Sequence, residues 1–433
     1  MNAENAEYVS PEEWVRSFQR KLYRAAKRSS TRRFGILYDK VCMMRVLQEA
    51  WRRVARNAGS GGVDGVTIEQ IKEDGVYEFL IEIMDELKEK NYNPQAIRRS
   101  YIDKGGGKKR PLGIPTIKDR VVQMAVKLII EPLFEPDFCE CSYGFRPRRS
   151  NTQAANRVHK LANSHKWVVD LDLKSYFDTI NHECLMKLVR RRVTDKSVLY
   201  HIRQWLKAGI MEDGLVRPNE QGTPQGGVLS PLLSNIYLHE FDRNWDDSDD
   251  GDGKLVRFAD DMVILCDSKQ EAERALEKAR GMLEEMHLTL NEEKTDLTHV
   301  RKGFDFLGFT YKEAYSFTGK RFVRIKYPRA KAIKKVCQRI KERVMSIPLG
   351  APVEEVIAAL NRTLRGWSNY FRIGNSYAAA LRLASYACAQ LRMYMRRKHH
   401  RKDVTGYRKW PNSFFYKRGL CYMPKLLRVK AAG

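Results

Sequence analysis

The sequence contains no apolar run near the roughly 18–20 residues that a membrane-spanning helix needs. Its first residues, MNAENAEYVSPEEW, lack the apolar core of a secretory signal, so an intracellular, cytoplasmic-type protein is expected. Cysteine is sparse: of eight, only Cys139 and Cys141 stand close, as C-x-C, and there is no pair of CxxC motifs to suggest zinc. Reduced thiols in or near cores are the plainer reading. Acid is short relative to base, with 53 Asp and Glu against 79 Lys and Arg, a net charge of +26. That imbalance points to a large polyanionic partner. It is also uneven: residues 321–343 carry ten Lys or Arg and only Glu342, and residues 392–433 carry thirteen and only Asp403. Both clusters are interleaved with aromatic residues. No long amphipathic segment with a clean apolar face accompanies them, which favours nucleic acid over a membrane surface.

What is present is enough to fold. A hydrophobic fraction of 43% excludes general disorder, and 433 residues suggest two or three domains. Residues 11–56 read as basic helices and 57–67 as a glycine-rich loop. In 76–90, Phe79, Leu80, Ile83 and Leu87 share a helical face. Residues 98–120 suggest a β-hairpin with a basic, Gly-rich tip, followed by a helix over 119–130 ending near Pro132. The segment HKWVVDLDLKSYFD (165–178) alternates: Val169, Leu171 and Leu173 on one face, Asp170 and Asp172 on the other. Helices are expected across 181–209, and GTPQGGVLSPLLSNIYLHEFD (222–242) is a turn feeding a helix, with Pro231 in its first turn. Strands are expected at 255–258 and 262–266, a helix after them, and a strand at LTLN (288–291). Helix dominates after about residue 325. The order implies an antiparallel sheet backed by helices, an α+β arrangement, with a domain boundary near 315–330.

The stretch VRFADDMVIL puts Asp260 and Asp261 between two apolar strands. Buried carboxylates are costly unless paired or bound to a cation. If these strands neighbour the one ending at Asp172, three carboxylates can meet at one sheet edge. Mg²⁺ binds through few carboxylates plus substrate phosphates, so such an edge on a basic protein suits phosphoryl transfer on nucleic acid.

These blocks resemble a known set. RFADD resembles the aromatic-x-Asp-Asp hairpin of reverse transcriptases, and DLDLKSYFDTI their first catalytic-aspartate motif. KKRPLGIPTIKDRVVQ, CSYGFRPRRSNTQA, GTPQGGVLSPLLSNIYLHEFD, LNEEKT, FDFLGF and LNRTLRGWSNYFR resemble, in order, further blocks of group II intron-encoded reverse transcriptases and maturases, over roughly residues 15–425. The resemblance implies a right-hand polymerase: a basic helical extension and start of the fingers (1–66), fingers (67–165), palm (166–315), an all-α thumb or maturase region (316–400) and a short basic tail (401–433). It is closest to the compact type without an endonuclease module.

The resemblance also implies roles. Asp172, Asp260 and Asp261, with the backbone carbonyl of Leu173, would hold two Mg²⁺ ions, for which Mn²⁺ could substitute. Lys109 and Arg110 would meet the dNTP triphosphate, and Phe177 would crowd the sugar 2′-position. Gln225 and Gly226 would line the nucleotide pocket, and Lys294 would protonate pyrophosphate. Arg146, Arg148, Phe306, Leu307, Gly308, Arg365 and Trp367 would contact nucleic acid. The expected partners are RNA template, DNA or RNA primer, dNTPs and intron RNA. Phe258 stands where the family usually has Tyr. Two alternatives remain: a non-catalytic maturase that assists splicing, and a reverse transcriptase recruited for host defence or DNA repair.

Overall fold

The computed structural model describes residues 9–105, 108–212, 215–217, 221–223, 226–247, 251–400 and 406–428. The first long helix, Pro11–Arg28, starts at a capping box in which Ser10 and Glu13 exchange hydrogen bonds. It buries Val15, Leu22 and Ala26 and leaves most of its basic residues outward. Among the described residues eleven strands follow: β1 (Ile97–Gly105), β2 (Lys108–Ile114), β3 (Trp167–Leu171), β4 (Ile210–Glu212), β5 (Leu215–Arg217), β6 (Lys254–Phe258), β7 (Asp261–Cys266), β8 (Asp296–His299), β9 (Phe304–Phe306), β10 (Phe309–Ser316) and β11 (Arg321–Pro328). They form three sheets, ordered β2-β1-β4-β5, β6-β7-β3-β8 and β11-β10-β9.

The sheet β6-β7-β3-β8 is antiparallel throughout and carries the site. Both of its faces are covered. Val169, Leu171, Met262 and Ile264 enter one core, shared with the helices Ile117–Phe134 and Ser230–Asp246. Val168, Val256, Val263 and Leu265 enter a second core, shared with β9, β10 and the helices Ala330–Met345, Val353–Phe371 and Tyr377–Lys398. Burial on both faces explains why MVILC in β7 is an unbroken apolar run. It also means that the polar face expected for Asp170 is covered by protein rather than open to water. The architecture is the expected α+β one, an antiparallel sheet backed by helices and followed by a helical carboxy-terminal region.

Three local expectations are corrected. Pro132 does not stop its helix, which runs to Phe134. Its missing N–H frees the Leu128 carbonyl, which accepts Gln19 Nε2 at 2.9 Å instead, and buried Leu133 and Phe134 hold the last turn in the core. LTLN is not a strand: Leu290 makes one bridge to Leu173, and the chain turns at 291–295 before β8 pairs along β3. Helix also does not begin at 325. The hairpin β10–β11 pairs from Phe309 through Pro328, straight across residues 315 and 316.

Candidate active site

Strand register brings the aspartates together. Leu171 on β3 lies opposite Met262 on β7, so Asp172, one residue beyond β3, faces the end of β7 at Asp261. Asp260 lies in the two-residue turn between β6 and β7, where Phe258 pairs with Asp261. Ala259 holds that turn with φ of 59°, an uncommon conformation for a residue with a side chain.

The turn is braced from below by a residue that sequence reasoning overlooked. Arg257 is wholly buried and paired with equally buried Asp242. Its Nε donates to Asp242 Oδ1 at 2.7 Å. One Nη donates to Asn235 Oδ1 at 3.1 Å and to the Ala259 carbonyl at 3.0 Å; the other donates to Ser142 Oγ at 2.8 Å. The loop Cys141–Phe145 therefore closes on the turn, and its Gly144 is required there because a Cβ would collide with the Ala259 amide. The only sequence signal for Arg257 was an unpaired-looking cation inside an apolar strand.

Electrostatics at this edge are those of a site short of positive charge. Burial, then the charges of Asp260 and Asp172, push Asp261 up to about 6. Burial, then Asp261 and Asp172, push Asp170 up to about 7. Asp260 is raised by burial too, with Asp172 adding and Arg110 opposing. Arg110 opposes at Asp261 as well, together with Arg329, a cation that sequence reasoning did not single out. Lys294 Nζ lies 2.8 Å from Asp172 Oδ2, placed there by the turn at 291–295. Among the described residues no group of three or more Asp, Glu, His or Cys side chains is placed so that together they could hold a metal ion. An all-carboxylate donor set that repels itself instead fits a hard divalent cation completed by substrate phosphates.

Comparison with known proteins gives the family. Residues 102–311 match the family model for reverse transcriptase (RNA-dependent DNA polymerase), and residues 333–413 match the maturase-specific domain of group II introns. Protein YkfC of Escherichia coli K12 is 37% identical over 358 residues, covering 73% of this chain and 93% of that protein. The group II intron-encoded protein LtrA of Lactococcus lactis is 32% identical over 326 residues, covering 61% of this chain and 53% of LtrA, so the chain spans about half of LtrA's length. Nuclear intron maturase 4 of Arabidopsis thaliana is 31% identical over 139 residues, 32% of this chain and 17% of that protein. The chain belongs to the group II intron reverse transcriptase and maturase family.

Within that family frame the remaining residues are placed unevenly. Lys109 and Arg110 are exposed on β2, with Lys109 Nζ 5.9 Å from the Tyr101 ring centroid. Gly226 has φ of +123°, and a Cβ there would lie 2.5 Å from the Gly113 carbonyl of β2, so this loop and the hairpin touch. Buried Gln123, which sequence reasoning missed, accepts the Val228 amide at 3.1 Å and holds the same loop. Gln225 lies outside the described residues. Phe177 is buried against Tyr176, and its carbonyl accepts the Thr223 amide at 2.7 Å. Leu173 is buried between the two arms of the Leu290 bridge.

Arg146 is turned inward. Its guanidinium donates to Glu135 and to the carbonyls of Cys139, Ser142 and Phe138, so it braces the loop and does not present itself to a phosphate. Arg148 and Arg365 are exposed. Phe306 and Trp367 are buried in the second core, whereas Leu307 and Gly308 form the β9–β10 turn. The Tyr370 hydroxyl donates to the Leu307 carbonyl at 2.6 Å.

Two substitutions test this arrangement. Gly226→Ala forces a side chain into a positive-φ position against β2, a strain of ~1–3 kcal/mol. The expected result is a roughly tenfold rise in dNTP KM, read by steady-state primer extension. Lys294→Ala should lower kcat by roughly a hundredfold, the lower end for loss of a proton donor, with KM little changed. Lys294→Arg separates roles: it keeps the pair with Asp172 but cannot release a proton, so restored kcat would mean that Lys294 acts only by holding the aspartate.

Proposed function

We propose that the chain is an RNA-directed DNA polymerase that extends a primer on an RNA template, and that it also binds intron RNA to assist splicing and mobility. The observation that carries the reading is the meeting of Asp172, Asp260 and Asp261 at one sheet edge, under the charge of Arg110 from the facing hairpin. The fingers, palm and thumb would occupy 67–165, 166–315 and 316–400, with the β10–β11 hairpin spanning the last boundary, a basic extension before and a basic tail after.

Asp172, Asp260, Asp261 and the Leu173 carbonyl would hold two Mg²⁺ ions. Bound there, the metals supply acidity to the primer 3′-hydroxyl and neutralise the triphosphate. The chain's own residues do the rest. Arg110 and Lys109 offset charge that builds on the triphosphate. Gly226 lets backbone approach the nucleotide, and the Phe177 ring limits room beside the sugar. Lys294 is held next to Asp172, from where it can give a proton to the leaving pyrophosphate. The turn at Leu307 and Gly308 steadies the primer end.

Primer extension tests this directly. Purified chain with an annealed DNA primer, an RNA template, dNTPs and Mg²⁺ should give full-length cDNA. RNA binding without any cDNA would instead support a non-catalytic maturase; the match to the maturase-specific domain is compatible with either reading.

A further inference from the structure

The hairpin β10–β11 carries three aromatic side chains that nothing among the described residues covers. Tyr315, Phe317 and Phe322 are 45%, 86% and 65% exposed. Tyr315 and Phe322 are cross-strand partners, and the Tyr315 ring lies 5.3 Å from each of the other two. Rings of this size are normally the first to be buried. Here they overhang the end of the helix Asn151–Ser164, because the hairpin is anchored further back: Arg324 Nε donates to the Ala162 carbonyl at 3.1 Å, and the Tyr311 hydroxyl to the Ala155 carbonyl at 3.2 Å.

The surroundings are cationic. From residue 314 to 328 the hairpin has no acid. The nearest, Glu313, is already held by Arg301 and Arg324. Lys320 and Arg321 are exposed at the tip, and Lys302 is exposed in the turn before β9, next to Tyr311 and Lys312. Charge converges on this end of the sheet strongly enough that His299 is held below its ordinary value, by burial first and then by Arg301, Arg324, Lys166 and Lys302.

The position separates this patch from the polymerase site. The Glu313 amide donates to Val300, just beyond His299, and His299 pairs with Trp167 at the start of β3. Asp172 lies at the other end of that strand, five residues or roughly 17 Å away. The Leu307–Gly308 turn is likewise at the opposite end of β10 from Tyr315.

We propose that Tyr315, Phe317 and Phe322, with Lys302, Lys320 and Arg321, form a stacking platform for a single-stranded RNA segment, separate from the template–primer cleft. Exposed rings that stack on bases, beside cations that track phosphates, are what sequence-tolerant single-strand binding requires. That the strand is RNA rests on the function proposed above. The platform gives the intron-RNA role a surface that can be occupied while a primer–template fills the cleft.

The test uses the full chain holding a saturating primer–template duplex, to which a labelled single-stranded oligouridylate 20-mer is added. Cross-linking by ultraviolet light, followed by peptide mapping, should place the oligonucleotide on residues 315–322. The variant Tyr315→Ser, Phe317→Ser, Phe322→Ser should bind it roughly tenfold more weakly or worse, with primer extension on a short template unchanged. Lys302→Glu with Lys320→Glu should weaken binding and flatten its salt dependence. Displacement of the oligonucleotide by the duplex, or cross-links confined to the cleft, would overturn the proposal. So would a wild-type dimer that the triple variant converts to monomer, which would make a second copy the occupant. Oligonucleotide binding at the tip in a chain that makes no cDNA would sink the polymerase reading and leave the platform standing.

Discussion

Asp260→Ala should abolish cDNA synthesis while leaving RNA binding intact. Loss of a carboxylate that anchors catalytic metal removes several kcal/mol of transition-state stabilisation. At ~1.4 kcal/mol per tenfold, the fall in kcat is on the order of 10³-fold. The fold should not suffer, because the charged aspartates at this edge oppose it. Asp261 shows the sign. Its folded value, about 6, lies above the ~3.9 of an unfolded aspartate. Stability from this group is therefore full below about pH 4 and is lost as pH rises through about 6. In the presence of EDTA at pH 7.5, Asp261→Asn should melt no lower than wild type, and at pH 4 it should show no gain. Primer-extension rates and melting curves on the same preparations check both halves. A variant that melts far below wild type at neutral pH would show these carboxylates to be structural.

Arg257→Ala should cost both stability and activity. Removing one partner of a wholly buried ion pair leaves Asp242 unpaired, a loss of ~3–5 kcal/mol. In a domain of this size that lowers the melting temperature by about 10 °C. Lysine cannot replace the five-donor fork that reaches Asp242, Asn235, Ala259 and Ser142 together. The paired replacement Arg257→Met with Asp242→Leu separates the two losses. It should restore much of the melting temperature, since apolar groups can fill a buried ion pair's place. The Ala259 carbonyl would still lack its clamp, so kcat should stay low. Recovery of kcat along with stability would reduce Arg257 to a packing role. Differential scanning fluorimetry and single-turnover extension give the two readouts.

Phe258 bears on the same turn. Its ring lies 6.2 Å from Phe145, and it is only partly buried. The family's usual Tyr would add a hydroxyl beyond that ring. The ring contact that ties the turn to the Cys141–Phe145 loop does not need it.

Much of the site was legible along the chain because it is locally encoded. Period-2 alternation placed Asp170 and Asp172 on one face of β3. The apolar runs flanking two aspartates announced a hairpin, and the excess of Lys and Arg announced a polyanion. Less was legible where sign or spacing is ambiguous. Arg146 and Arg148 sit two residues apart in one basic motif, yet one is spent on Glu135 and three carbonyls and the other faces solvent. A guanidinium reads the same in sequence whether it binds a phosphate or a backbone. LTLN has the composition of a strand, but β3 accepts only one bridge from it before 296–299 takes the edge.

Local sequence sets what each segment can be: which faces are apolar, and where helices begin at capping boxes such as Ser10–Glu13. Alternation and capping act between residues a few positions apart, so composition and spacing suffice to specify them. The tertiary structure alone decided which segments meet. Pairing of β3 with β7 set Asp172 beside Asp261, the turn at 291–295 carried Lys294 to Asp172, and Asp242, Asn235 and Ser142 converged on Arg257. Such contacts join residues up to 122 positions apart. Strand neighbours and register are chosen by burial of both sheet faces at once, a property of the packed whole.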